Sequence, residues 1–243
     1  MNGLIRATKI VATLGPATNS PQTIEQLLAA GVDIVRMNFS HGFANDHIQR
    51  ASWVHEAAHR LERDVGILVD LQGPKIRVGK FEKGKIDLIS GQDFVLDVNC
   101  DVGNKEKVGL DYHELVHDVN PNDILLLNDG HISMRVESVS STEVFCKVLH
   151  GGTLSDRKGI NRQGGGLSAP ALTSKDEEDI KIASAMEADY VAVSFPKSAE
   201  DIIHAKSLLK KEGSRAWIIA KIERVEAIRN LQQILDASNG LMV

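Results

Sequence analysis

The sequence predicts an α/β fold, an incomplete (β/α)8 TIM barrel with about six strands present, interrupted by an inserted all-β domain. Three observations predict it. Short β-branched runs alternate with helical patterns at both ends of the chain, the rhythm of right-handed βαβ units around a parallel sheet. Between residues 74 and 169 the hydrophobic period drops from 3.6 toward 2. No Gly-rich dinucleotide fingerprint follows the first strand, where Gly15-Pro16-Ala17-Thr18 stands instead. That weighs against the open doubly wound sheet that six parallel strands could also form.

Taken in order, residues 9–14 (KIVATL) form the first run, ended by Gly15-Pro16. Ser20 is placed as an N-cap with Pro21 at the first helical position, and Gly31 closes that helix. Residues 34–37 give the second strand. Ile48, Ala51, Val54, Ala58 and Leu61 then recur at helical spacing and define one buried face. Residues 65–71 make the third strand. In the middle section Phe94, Leu96 and Val98 fall at every second position, as do Ile132, Met134 and Val136, and Val144, Cys146 and Val148. Asn128-Asp129-Gly130 and Ser140-Ser141 read as turns between these runs. Gly164-Gly165-Gly166 reads as a flexible joint where the chain returns to the α/β part.

Beyond it, Ser174 and Glu177 give a capping-box signature, and Ile180, Ala183 and Met186 share a helical face. A strand at 190–195, a helix at 199–211, a strand at 216–222, a helix at 225–237 and a last run at 240–243 follow. The expected domains are therefore a barrel built from 1–73 and 171–243, with 74–170 inserted. A closed barrel of this kind has eight strands. A chain that stops on the sixth is expected to be truncated and to carry open edges.

Composition narrows the function classes. With 28 Lys+Arg against 33 Asp+Glu the formal charge is −5, which lacks the basic excess of a nucleic-acid binder. The two cysteines, Cys100 and Cys146, cannot form a disulfide framework and suit a reducing compartment. Residues 1–11 carry three positive charges, counting the amino terminus, but lack the apolar core of a secretory signal. No run approaches the ~18 apolar residues of a membrane span. The expectation is a cytoplasmic protein with neither nucleic acid nor membrane as partner.

The chemistry-bearing residues sit where strands end, which in α/β barrels is the reactive face. Arg36, Asn38 and Ser40 alternate with apolar Met37 and Phe39. They present a guanidinium fork for phosphate or carboxylate beside oxygen ligands for a hard cation, or else a satisfied polar strand end. Asp70 closes an apolar strand, where a carboxylate needs a metal or a cationic partner. Lys75 and Arg77 are a polyphosphate clamp or a solvated edge. Lys221 and Glu223 share a face opposite Ile222. Lys221 could be a Schiff-base nucleophile or a cation stabilising developing charge, and Glu223 suits Mg²⁺. The plain alternative is a Lys–Glu ion pair. Together these groups fit a phosphate-handling barrel enzyme of the phosphoryl-transfer type.

Six segments then give a resemblance. Residues 8–17 (TKIVATLGPA), 36–42 (RMNFSHG), 70–77 (DLQGPKIR), 158–161 (KGIN), 192–195 (AVSF) and 221–223 (KIE) resemble pyruvate kinases, in that family's order and along the whole chain. The resemblance implies a phosphotransferase that moves the phosphoryl group of phosphoenolpyruvate to ADP, giving pyruvate and ATP in glycolysis. It implies that Arg36 contacts the transferring group and that Lys221 stabilises it in the transition state. Glu223 is implied as a ligand of Mg²⁺ or Mn²⁺. Asn38, Ser40, Asp70 and the carbonyl of Leu71 match a K⁺ site. Nucleotide contacts map to Asn38, Phe39, Ser40 and His41, with Arg77 and Lys158, the latter near the end of a lid-like B domain. The full-length family is expected to be homotetrameric.

Departures from the family pattern carry their own expectations. Lys75 replaces the glutamate usual in K⁺-requiring members, so K⁺ is expected to be dispensable. Leu71 stands where threonine is more usual, which is harmless if only its carbonyl is used. In the family the run at 241–243 continues into Ala-Arg-Gly-Asp, whose aspartate is a second Mg²⁺ ligand. This polypeptide alone is therefore expected to be inactive or nearly so. The competing readings are a Schiff-base aldolase-type barrel using Lys221 and a non-catalytic nucleotide-binding fragment.

Overall fold

The structure, a computed structural model, describes residues 6–243; the part of the leader reading that rests on residues 1–5 lies outside them. The chain forms two compact units, one running up to Pro74 and resuming over Pro170–Val243, the other spanning Lys75–Ala169.

The first unit is built on a parallel sheet of β1 (Val11–Leu14), β2 (Ile34–Asn38), β3 (Gly66–Asp70), β4 (Tyr190–Val193), β5 (Trp217–Lys221) and β6 (Gly240–Met242). Its order is β1-β2-β3-β4-β5-β6, every neighbouring pair parallel. A sheet that adds each strand beside the last has the winding of a barrel wall, whereas a doubly wound sheet reverses at a switch point. Around it run α1 (Pro21–Ala29), α2 (Ala44–Arg60), α3 (Ser174–Ala185), α4 (Ala199–Lys211), α5 (Val225–Arg229) and α6 (Leu231–Ala237). Ile67, Val69, Val191, Val193, Ile218 and Ala220 are fully buried between strands and helices.

Local chemistry sets the helix ends. Ser20 accepts the Thr23 N–H at 3.2 Å, with Pro21 in the first turn, and Gly31 adopts φ +110° past the end of α1. On α2 the buried stripe is His47, Ala51, Val54 and Ala57. Ala51 and Val54 are buried as predicted and Ala58 and Leu61 pack partly buried against the same core, whereas Ile48, expected inside, is exposed and His47 takes its place. On α3 the cap is Thr173 rather than Ser174. Thr173 Oγ1 accepts the Asp176 N–H at 3.2 Å and Asp176 Oδ2 accepts the Thr173 N–H at 2.8 Å, so the box starts one residue earlier. The single helix predicted over 225–237 breaks at Asn230, whose φ −103°, ψ 17° leave the α region and whose amide donates to the Lys197 carbonyl at 2.8 Å.

The second unit is a mostly antiparallel sheet in the order Ile160–Arg162, Ile124–Leu127, Ile132–Val139, Glu143–His150, Asp93–Asp97, Lys107–Val108. Phe94, Leu96, Ile132, Met134, Val136 and Val144 are fully buried, so the alternation in the sequence is the core face. Asn128, Asp129 and Gly130 all have positive φ (+50°, +56°, +84°), the conformation a tight hairpin turn requires. The Gly164-Gly165-Gly166 run falls inside this unit, ahead of the return at Pro170. Behind it the chain is tied down, with the Ser168 N–H donating to Asp118 Oδ2 at 2.8 Å. Cys100 and Cys146 are free thiols. Among the described residues no helix is long and apolar enough to cross a membrane.

Candidate active site

The C-terminal ends of β1 to β5 bring the predicted residues together around one carboxylate. Asp70 closes β3, where residues 67–70 are buried on both faces, and is itself 1% exposed. A carboxylate that deep needs cations, and it has two. Arg36 donates to Asp70 Oδ2 through Nε at 2.8 Å and through a terminal nitrogen. Lys221 Nζ lies 3.1 Å from Asp70 Oδ1. Register explains the convergence: Thr13 faces Arg36 across β1–β2, Asn38 faces Asp70 across β2–β3, and Ala192 faces Asp70 across β3–β4.

Two further side chains hold these cations, and the sequence reading assigned neither a role. Thr13 Oγ1 accepts from the Arg36 guanidinium at 2.9 Å, gripping it on the side away from Asp70. Ser194, buried at the end of β4, donates to the Leu71 carbonyl at 2.6 Å and accepts from Lys221 Nζ at 2.8 Å. It sits at a strand tip like the others, and that position was the available signal. Glu223 lies 3.3 Å from Lys221 Nζ, so the plain ion-pair reading of this pair is part of the arrangement. Its other oxygen accepts the Phe195 N–H at 3.2 Å. Phe195 adopts φ +56°, an uncommon conformation for a non-glycine residue and one that strand ends at functional sites harbour.

Gly73 fixes how closely the chain leaving β3 can pass β4. Its φ is +65°, and a Cβ there would stand 2.9 Å from Ser194 Cβ and 3.0 Å from the Ser194 carbonyl oxygen. Its N–H donates to buried Asp176 at 3.0 Å. Gly73→Ala is expected to cost about 1–2 kcal/mol for the left-handed backbone alone, and more because Ser194 must move. A lowered denaturation midpoint read by tryptophan fluorescence checks this, since Trp53 and Trp217 both lie in the barrel unit.

Asn38, Ser40 and His41 continue from β2 into a short loop. Asn38 Oδ1 accepts the Ser40 N–H at 3.0 Å, and Phe39 is buried beneath it. Asn38, Ser40, Asp70 and the Leu71 carbonyl each offer oxygen, the donor type a hard monovalent or divalent cation prefers. Among the described residues no three His, Cys, Asp or Glu side chains gather for a metal. Glu223 nevertheless fits Mg²⁺, which takes one or two carboxylates and completes its shell with substrate oxygens and water.

The remaining candidates lie in the second unit. Arg77 bridges Gly159 across an antiparallel pair, and the Val78 N–H donates to the Lys158 carbonyl at 2.9 Å, so Arg77 and Lys158 are on adjoining segments. Arg77 lines a cavity of about 440 Å³ with Lys80, Arg157, Asp101 and Asp111. Asp111 accepts the Arg77 N–H at 2.6 Å, and burial pushes its carboxyl above the usual range. Lys75 is exposed at the start of this unit.

Comparison with known proteins agrees with this geometry. The family model for the pyruvate kinase barrel domain matches residues 5–243. Pyruvate kinase II of Salmonella typhimurium is 50% identical over 248 residues, covering 100% of this chain and 52% of its own length. The pyruvate kinase of Buchnera aphidicola subsp. Schizaphis graminum is 48% identical over 244 residues, covering 98% of this chain and 51% of its own. That of Haemophilus influenzae is 48% identical over 248 residues, covering 100% and 52%. The chain thus spans about half the length of the curated relatives it matches. With the whole chain aligned and the strand-tip constellation assembled in one sheet, the chain belongs to the pyruvate kinase family.

Proposed function

We propose that this chain supplies the phosphoryl-transfer face of an enzyme that moves PO₃ from phosphoenolpyruvate to ADP. The observation that carries the reading is the pairing of Arg36 and Lys221 through one buried carboxylate, with Glu223 beside Lys221. The bond between phosphorus and the enol oxygen breaks as one forms to a terminal oxygen of ADP. The enolate then takes a proton at carbon to become pyruvate. Such a transfer asks the protein chiefly for position and for positive charge around the migrating group. Arg36, held from both sides by Thr13 and Asp70, offers the remaining edge of its guanidinium to phosphate oxygens. Lys221 supplies a point charge at the adjoining strand tip.

When bound, Mg²⁺ or Mn²⁺ at Glu223 adds charge neutralisation on substrate oxygens. Asn38, Ser40, Asp70 and Leu71 would hold K⁺. Residues 38–41, Arg77 and Lys158 would bind nucleotide, with residues 74–170 acting as a lid domain that excludes water. The assembly expected of the family is a homotetramer. The deciding experiment is a coupled turnover assay with phosphoenolpyruvate, ADP and Mg²⁺, run beside calorimetry with each ligand. Binding of phosphoenolpyruvate that is lost in Arg36→Leu supports the reading, and indifference to that substitution overturns it. An aldolase lysine is desolvated or set beside another cation, whereas Lys221 lies between two carboxylates. Borohydride with a keto acid is accordingly expected to trap no adduct on it.

K⁺ is expected to be dispensable, since Lys75 brings a fixed positive charge in the chain segment that follows Asp70 and Leu71. In a full-length enzyme carrying this sequence, exchanging potassium chloride for tetramethylammonium chloride should leave turnover unchanged. A large loss would show that the cation set still requires its ion.

A further inference from the structure

Two backbone carbonyls of the loop after β2 are turned away from the strand tips onto side chains from two different helices. Lys175, in the first turn of α3, donates to the Phe39 carbonyl at 3.0 Å and to Asp179 at 2.5 Å, one turn further along the same helix. Asp179 is 5% exposed, and burial raises its carboxyl above the usual range; Lys175 is half exposed and reaches that buried acid from the rim of the helix. On α2, His47 Nε2 lies 2.9 Å from the His41 carbonyl. A carbonyl only accepts, so Nε2 carries the proton and Nδ1 is left as an acceptor. Nδ1 is buried and has no partner among the described residues. The imidazole stacks on Phe39 with centroids 4.2 Å apart and planes 13° from parallel. Gly42, at φ +83°, lets the backbone come close enough that a Cβ there would sit 3.3 Å from Nε2.

A core built for packing alone would place leucine or phenylalanine at the buried positions 47 and 179 and leave no bare nitrogen inside. What the polar groups obtain is orientation. A trans peptide is planar, so a carbonyl held inward sends the next N–H to the opposite side. The Phe39 carbonyl on Lys175 directs the Ser40 N–H toward Asn38 Oδ1. The His41 carbonyl on His47 turns the Gly42 N–H away from α2.

We propose that His47, Lys175 and Asp179 are positioning residues that lock the peptide planes after Phe39 and His41, presenting the 38–42 backbone in a fixed shape to the phosphates of a nucleoside diphosphate. The proposal rests on the reading of residues 38–41 as nucleotide contacts. It adds the machinery that holds them, none of which touches the ligand.

The test uses hydrogen exchange of residues 38–43 without ligand, and calorimetry with Mg·ADP and separately with phosphoenolpyruvate. His47→Phe and Lys175→Met are expected to speed loop exchange and weaken Mg·ADP by about tenfold, the loss of one hydrogen bond's worth of orientation, with phosphoenolpyruvate affinity kept. His47→Gln, whose amide can replace the Nε2–H, and Lys175→Arg are expected to restore both. Unchanged exchange in the Phe and Met variants overturns the proposal. So does faster exchange with Mg·ADP affinity intact, because the brace would then be structural only. Failure of the unsubstituted protein to bind Mg·ADP sinks the nucleotide reading and, with it, the proposed purpose of the brace. Loop exchange that still responds to the substitutions would mark that case apart from a missing brace.

Discussion

With this sequence carried in a full-length enzyme, Lys221→Met is expected to lower turnover by about two to three powers of ten while phosphoenolpyruvate still binds, the loss of one preorganised charge facing the transition state. Methionine keeps most of the stem's length and shape, so the change removes an ammonium and little else. Three contacts vanish with it: those to Ser194 Oγ, Asp70 Oδ1 and Glu223 Oε1. Asp70 keeps the Arg36 guanidinium, and Glu223 keeps the Phe195 N–H, so neither acid is stranded. Substrate recognition through Arg36 therefore survives, and the deficit should fall on kcat rather than on KM. Parallel calorimetry and a coupled assay separate the two. Near-normal turnover would remove Lys221 from the reaction and leave it a structural counter-ion of Asp70.

The elements that were legible in the sequence are those whose signal is repeated along the chain. Strand–helix alternation located all six parallel strands, and period-two alternation at 132–136 and 144–148 located the core of the inserted unit. Arg36, Asp70, Lys221 and Glu223 stood out because a charge at the end of an apolar strand is a local anomaly. Ser194 and Thr13 did not stand out, since a hydroxyl at a strand end is common and its partner lies in another strand. Details decided by tertiary contact also escaped. His47 displaces Ile48 from the buried face because its ring is wanted against Phe39 and the His41 carbonyl. Asn230 breaks a helix whose own sequence is unremarkable, because its amide reaches Lys197. The cap of α3 shifted by one residue because Thr173 and Ser174 are chemically equivalent caps, and only the position of Asp176 beside Gly73 distinguishes them.

Asp70→Asn is expected to be the most destabilising single change at this site, by about 3–5 kcal/mol, although it alters no volume. The carboxylate is buried and balances two cations at once. An amide presents one oxygen and one NH₂, so whichever cation meets the NH₂ faces donor against donor; residue 70 then neutralises neither, and Lys221 is left with Glu223 alone. The barrel unit contains both tryptophans, so denaturant titration followed by their fluorescence reads this unit without contribution from the inserted one. The midpoint should fall with the slope unchanged, the pattern of a lost interaction rather than an altered denatured state. The same logic fixes the sign of a double substitution. Arg36→Leu alone leaves Asp70 with Lys221 as its remaining cation, whereas Asp70→Asn with Arg36→Leu removes the acid and one of the two charges it served. The pair should therefore be more stable than the sum of the two single losses, with a coupling of about 1–3 kcal/mol. Strict additivity would mean that Arg36 and Asp70 do not depend on each other. The strand tips would then be a row of separate polar ends rather than one electrostatic unit.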